Sequence, residues 1–168
     1  MKQPPNIVNT ADLPWEKDDI KGRGGDRFAY RRKAVSKPAG GEKLGCSLYR
    51  VPPGKRAFPA HKHHGNEEAI YILAGEGSLR RGEARHQVAV GDYIALPAGG
   101  PEHQLENTGA TDLEYLCLST MIHPEVVEYP DSGKFGILTG SAPGGDRAKR
   151  TLYAFYKLEG AVDYYEDE

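Results

Sequence analysis

Cysteine is nearly absent from this sequence: Cys46 and Cys117 are the only two among 168 residues. That excludes a fold stapled by several disulfides, and both sit in apolar, strand-like surroundings that suit small core thiols. Long apolar runs are missing too. None approaches the roughly 18 residues of a membrane-spanning helix. The opening stretch, MKQPPNIVNTADLPWEKDD, has no apolar centre of the length a secretory signal requires. The expectation is a cytoplasmic protein with reduced thiols and no membrane partner. No charge sign dominates: 22 Lys and Arg stand against 24 Asp and Glu. Nothing favours nucleic acid, which calls for a clustered basic surface. Helical periodicity is also scarce. Its best case is a short turn near Asp12 to Asp18, with Pro14 placed for a first turn.

What the sequence does have is punctuation, with 21 Gly and 12 Pro. Short apolar segments recur between turn signals such as PPGK, AGEG, PAGGP and NTGATD. Strands are expected at Leu44 to Val51, Glu68 to Ala74, Ser78 to Arg81, Glu83 to Val90 and Asp92 to Leu96. Others follow at His103 to Glu106, Leu113 to Ile122, Phe135 to Leu138 and Thr151 to Leu158. Regular short strands of this kind read as an all-β antiparallel sandwich or barrel. No internal repeat is visible, so one domain is expected. It divides into an N-terminal extension over 1–42, a barrel core over 43–125 and C-terminal strands and tail over 126–168. The strands from Glu68 and from Leu113 are apolar on both faces, so both faces should be covered. The second layer would come from the terminal segments or from a partner subunit, and a homodimer is expected.

Half of the six histidines fall in one stretch, PAHKHHGNEEAIYILAGEG, directly before an apolar strand. His61 and His63 are two apart and share a face if extended. A turn at Gly65 and Asn66 would aim Glu68 back toward them. His103 opens another strand. Three imidazoles and a carboxylate make a mixed N/O set that suits Fe, Mn, Ni, Co or Zn and suits Ca or Mg poorly. The plainer alternatives are surface histidines in a turn and a buried salt bridge at Glu68. Glu67 has the opposite parity and reads as a rim residue, and His64, by the same parity, points away. His86 and His123 belong to no constellation and read as ordinary surface or edge residues. Asn107 reads as a turn brace.

The spacing of these residues resembles the cupin superfamily. Its first motif is matched by Gly54, His61, His63, Glu68 and Gly75, with six residues between Gly54 and His61 where the family usually has five. Its second is matched by Gly91, Pro97, Gly99, His103 and Asn107, with one extra residue before His103. Beyond the motifs, the segments LYRVPPGKRAFPAHKHH, PAGGPEHQLEN and HPEVVEYPDSGK are similar to a subgroup of small single-domain bacterial cupins. Asp131 and Lys134 lie in the last of these, in a segment whose plainer reading is a surface turn.

The resemblance implies a jelly-roll barrel, the double-stranded β-helix. It also implies a divalent transition metal held by His61, His63, Glu68 and His103. Such a centre binds a small oxygen-rich molecule, as substrate or as ligand. The walls offered by Ile70, Ile72 and Leu105 are apolar, and Glu68 is the candidate catalytic base. Similar cupins include dioxygenases, sugar and sugar-phosphate isomerases and oxalate-degrading enzymes. A metal-dependent dioxygenase or isomerase therefore stands beside a non-catalytic binding or sensing protein. A closed structural Zn site is disfavoured, because neither cysteine lies near the motif.

Overall fold

The computed structural model describes residues 6–16 and 25–166. Twelve strands carry the architecture, joined by turns and short 3-10 helices. The first six are β1 (Arg31–Ala34), β2 (Leu44–Val51), β3 (Lys62–His63), β4 (Glu68–Ala74), β5 (Glu76–Arg81) and β6 (Ala84–Ala89). The last six are β7 (Tyr93–Leu96), β8 (His103–Asn107), β9 (Leu113–Thr120), β10 (Glu125–Tyr129), β11 (Lys134–Thr139) and β12 (Leu152–Lys157).

They form three antiparallel sheets, in the orders β1-β2-β9-β4-β7, β12-β11-β10-β3 and β6-β5-β8. The fold is an all-β jelly roll, a double-stranded β-helix. Alternation decides which side chains enter the core. Ile70 and Ile72 of β4 and Leu113 and Tyr115 of β9 are buried, and they pack against Leu79 of β5 and Leu105 of β8. Asn107 ends β8 and is fully buried. Its amide donates to the carbonyls of Val51 and Thr111, each at 2.8 Å, and its oxygen accepts from Gly109 N at 2.9 Å. It is the turn brace expected of it.

Three differences from the sequence expectations are informative. The N-terminal turn is a 3-10 helix over Thr10–Asp12 capped by Asn9, and the chain is already extended at Leu13. Pro14 therefore follows the turn instead of opening it, and Asp18 lies outside the described residues. Second, β1, β3 and β10 were not anticipated. Arg31-Arg32-Lys33-Ala34 is too polar to read as a strand, yet it pairs along β2. Third, the outer face of β4 is half open, with Tyr71 at 39% and Leu73 at 41% exposure. The terminal strand β1 joins this sheet at its edge, beside β2, and so does not lie across that face.

Candidate metal centre

Hydrogen bonding across the barrel sets the site. His61 and His103 stand opposite each other as a doubly bonded antiparallel pair, His61 N to His103 O at 3.1 Å and His103 N to His61 O at 2.8 Å. Their rings therefore share a face, with centroids 4.5 Å apart. His63 is two residues further along and pairs with Val127 of β10. Glu68 opens β4 on the facing sheet, between Ser119 of β9 and Leu96 of β7. The bend after His63 turns it back, as the parity argument requires.

The donor atoms converge. Ligand-type atoms of His61, His63 and Glu68 lie within 4.8 Å of one another. His63 Nε2 is 3.5 Å from Glu68 Oε1, and His103 Nε2 is 3.4 Å from Glu68 Oε2. His103 stands at the side of the group, its ring centroid 6.3 Å from that of His63. His61 Nδ1 lies 2.8 Å from the Pro59 carbonyl. A carbonyl only accepts, so the proton sits on Nδ1 and the Nε2 lone pair is left free. Two imidazoles and one carboxylate thus form a cluster of the kind that holds a metal ion, and the oriented ring of His61 is what such a ligand needs.

Behind His63 lies a residue that sequence reading missed. Glu125 is fully buried at the start of β10. Its Oε1 accepts from the backbone N of His64 and of Gly65, each at 3.1 Å, and its Oε2 contacts the Asn66 amide. His63 Nδ1 is 3.7 Å from Glu125 Oε2, too long for a hydrogen bond, and this buried nitrogen has no other partner among the described residues. A carboxylate behind a ligating imidazole fixes the ring and raises its basicity. The signal lay in Glu125-Val-Val-Glu-Tyr129, where alternation sends Glu125, Val127 and Tyr129 inward.

The electrostatics follow from this packing. Burial favours the neutral Glu68 carboxyl, but His103, His63 and His61 outweigh it and hold the group down at about 2. Burial and the neighbouring His103 ring lower His61 to about 4. For His63 burial also favours the neutral ring, but Glu125 and Glu68 prevail and raise it above 6.5. His61 is thus neutral near pH 7, while the carboxylates beside His63 favour its protonated ring, a proton that any bound metal would displace. If a metal binds here, its affinity falls on acidification as protons compete for the imidazoles. Co(II) titrations at pH 8, 7 and 6 check this; affinity constant across that range would contradict it.

The centre lies on the wall of a cavity of about 1080 Å³. Ile70 and Leu105 line it as expected, but Ile72 does not; it is core, at 0% exposure. The wall is also more polar than expected, with Ser47, Gln104, Cys117 and Ser119 facing in. His123 is exposed, as its reading as a surface or edge residue has it, and it also stands on the lining of the cavity. His64 points away and meets Glu128 Oε2 at 3.2 Å. Glu67 is exposed. Asp131 is paired with Arg80 at 2.8 Å, and Lys134 stands 5.1 Å over the Tyr129 ring.

Comparison with known proteins agrees with this geometry. The sequence profile of the cupin domain matches residues 47–119. Residues 47–119 thus carry a cupin domain. It is 37% identical over 73 residues to an oxalate-binding protein of Thermotoga maritima, a match spanning 44% of this chain and 59% of that one. It is 32% identical over 97 residues to quercetin 2,3-dioxygenase of Bacillus subtilis, spanning 55% of this chain and 29% of that one. Among solved structures it resembles a putative sugar phosphate isomerase from Acidithiobacillus ferrooxidans, with TM-score 0.78, 20% identity, and coverage of 96% and 97% of the two chains. The chain thus spans less than two thirds of these two curated relatives. No helix among the described residues is long and apolar enough to cross a membrane.

Proposed function

We propose that His61, His63, Glu68 and His103 hold one divalent transition metal (Fe, Mn, Ni, Co or Zn), and that a small oxygen-rich molecule binds through it inside the barrel. The observation that carries this is the convergence of His61, His63 and Glu68 donor atoms within 4.8 Å, with His103 beside Glu68. Bound there, the ion supplies a Lewis acid for a carbonyl, enediol or carboxylate oxygen. The protein's own groups do the rest. Ile70 and Leu105 present apolar surface at the centre, which strengthens electrostatic attraction. Tyr129 is stacked on His61, with ring centroids 6.1 Å apart. Burial and its neighbours push its phenol up to about 12, so it stays a neutral hydrogen-bond donor at pH 7. Glu68 is ionised at that pH and is the base nearest a bound ligand.

Titrating the Co(II)-loaded protein with keto acids, enediols and dicarboxylates tests this. The expected result is a shift in the metal's visible spectrum and binding that vanishes when metal is removed. Equal binding to the metal-free protein would overturn it. Substrate-dependent O₂ uptake or an isomerised product would make the protein an enzyme, a dioxygenase or isomerase. Tight binding without product would make it a sensor. The cavity of about 1080 Å³ exceeds the needs of a two-carbon acid and favours a sugar-sized molecule.

Two further readings belong here. The half-open outer face of β4, with Tyr93 of β7 beside it at 65% exposure, supports a homodimer. Light scattering at micromolar concentration should give twice the chain mass; a monomer would count against it. The unpaired thiols of Cys46 and Cys117 support a reducing, cytoplasmic setting.

A further inference from the structure

The same cavity has a second polar end. Arg150 lines it, and its Nε is buried without a hydrogen-bond partner. The side chain has no ion-pair or hydrogen-bond partner among the described residues; its contact is the Tyr153 ring, with the guanidinium carbon 4.5 Å from the centroid. Two of the other cations that line it, Arg32 and Lys37, are engaged, and Arg147 and Lys149 line it as well. Arg32 meets Glu16 at 3.0 Å and Ser47 Oγ at 3.0 Å, and Lys37 meets Asp146 at 3.3 Å. A desolvated guanidinium nitrogen left without an acceptor is costly, and its fork geometry matches a phosphate or carboxylate.

Aromatic rings connect this arginine to the metal centre. Tyr153 meets Phe155 at 5.1 Å between centroids, Phe155 meets Tyr129 at 5.9 Å, and Tyr129 stacks on His61 at 6.1 Å. All of them line the cavity. Tyr153 and Phe155 are 55% and 43% exposed. Two glycines fix their placement. The Phe155 ring lies against Gly136, where a Cβ would come within 2.7 Å of it. Gly140, at φ +78°, lets the backbone of Lys149 press to within 2.2 Å of where a Cβ would stand. Thr139 and Thr151 hydroxyls bond at 2.6 Å beside it, so the base of the loop carrying Arg150 is closed.

We propose that Arg150 is an anion-binding subsite of this cavity. The ligand is then a small polyhydroxy compound whose oxygen-rich end reaches the metal and whose far end bears a phosphate or carboxylate, with its carbon faces on the Tyr129–Phe155–Tyr153 wall. This rests on the metal-anchored reading for the near end only. Aromatic faces accept the C–H surfaces of a polyol chain, and the guanidinium supplies the charge that the wall lacks.

Calorimetry on the Co(II)-loaded chain with gluconate, 6-phosphogluconate and glucarate tests it. These probes share an α-hydroxy acid end and differ at the far end. The phosphate or the second carboxylate should improve affinity about tenfold or more over gluconate. The advantage should disappear in Arg150→Gln and persist in part in Arg150→Lys, while gluconate binds all three proteins alike. Whichever probe shows the advantage names the anion. Equal affinities in the wild type, or an advantage that survives Arg150→Gln, would overturn the subsite. If gluconate fails to perturb the metal's spectrum while 6-phosphogluconate still binds through Arg150, the subsite stands and the metal-anchored reading falls.

Discussion

Replacing His63 with alanine is expected to abolish stoichiometric metal binding. This ring sits between two carboxylates, with Nε2 3.5 Å from Glu68 and Nδ1 3.7 Å from Glu125. Outer-shell partners of metal ligands typically change affinity by roughly 10–100-fold, and loss of a ligand itself should exceed that. Elemental analysis of dialysed protein measures the effect. His86→Ala is the control, because His86 pairs with Leu79 between β5 and β6 and is exposed. Metal content equal in the two variants would remove His63 from the site.

Glu125→Ala should be the most destabilising of the single changes considered. The carboxylate is fully buried and accepts from two backbone N–H groups, besides its contacts with Asn66 and His63. Removing it leaves those donors without an acceptor, and breaking a buried, hydrogen-bonded ionic cluster costs about 3–5 kcal/mol. The sign with pH follows from the group's lowered value. Burial opposes ionisation, but His63, Asn66 and the Gly65 N–H overcome it. The stabilisation is therefore present above pH 4.5, the ordinary carboxyl value, and fades as pH falls through the lower folded value. Urea unfolding of both proteins at pH 7 checks the size. A loss below about 1 kcal/mol would show that Glu125 does not hold the turn at His64–Asn66.

Much of this site was legible because its chemistry is concentrated at strand positions with fixed parity. His61, His63 and Glu68 lie in one short stretch; the period of two aligns the two histidines, and the turn at Gly65 and Asn66 brings Glu68 back to them. His103 is remote in sequence, and only the second motif brought it in; the pairing of its backbone with that of His61 is a tertiary fact. Glu125 and Arg150 were not legible for a different reason. Each matters through what surrounds it in three dimensions, an enclosed set of donors for one and an aromatic wall for the other. The strands around Glu68 and Leu113 announced themselves by apolar content. Arg31–Ala34 did not, because its pairing with β2 depends on backbone hydrogen bonds that charged side chains neither favour nor forbid. The open face of β4 shows the remaining limit: apolar pattern says that a surface seeks cover, and says nothing of which chain supplies it.

X-ray absorption on the Co(II)- or Zn(II)-loaded chain tests the central claim most directly. The account predicts a first shell of nitrogen and oxygen only, at about 2.0–2.2 Å for Zn, with the outer-ring scattering of three imidazoles. Cys117 lines the same cavity, and burial pushes its thiol well up, so it should stay protonated and outside the shell. A sulfur scatterer at about 2.3 Å, or a shell with no imidazole signature, would contradict the assignment of His61, His63, Glu68 and His103.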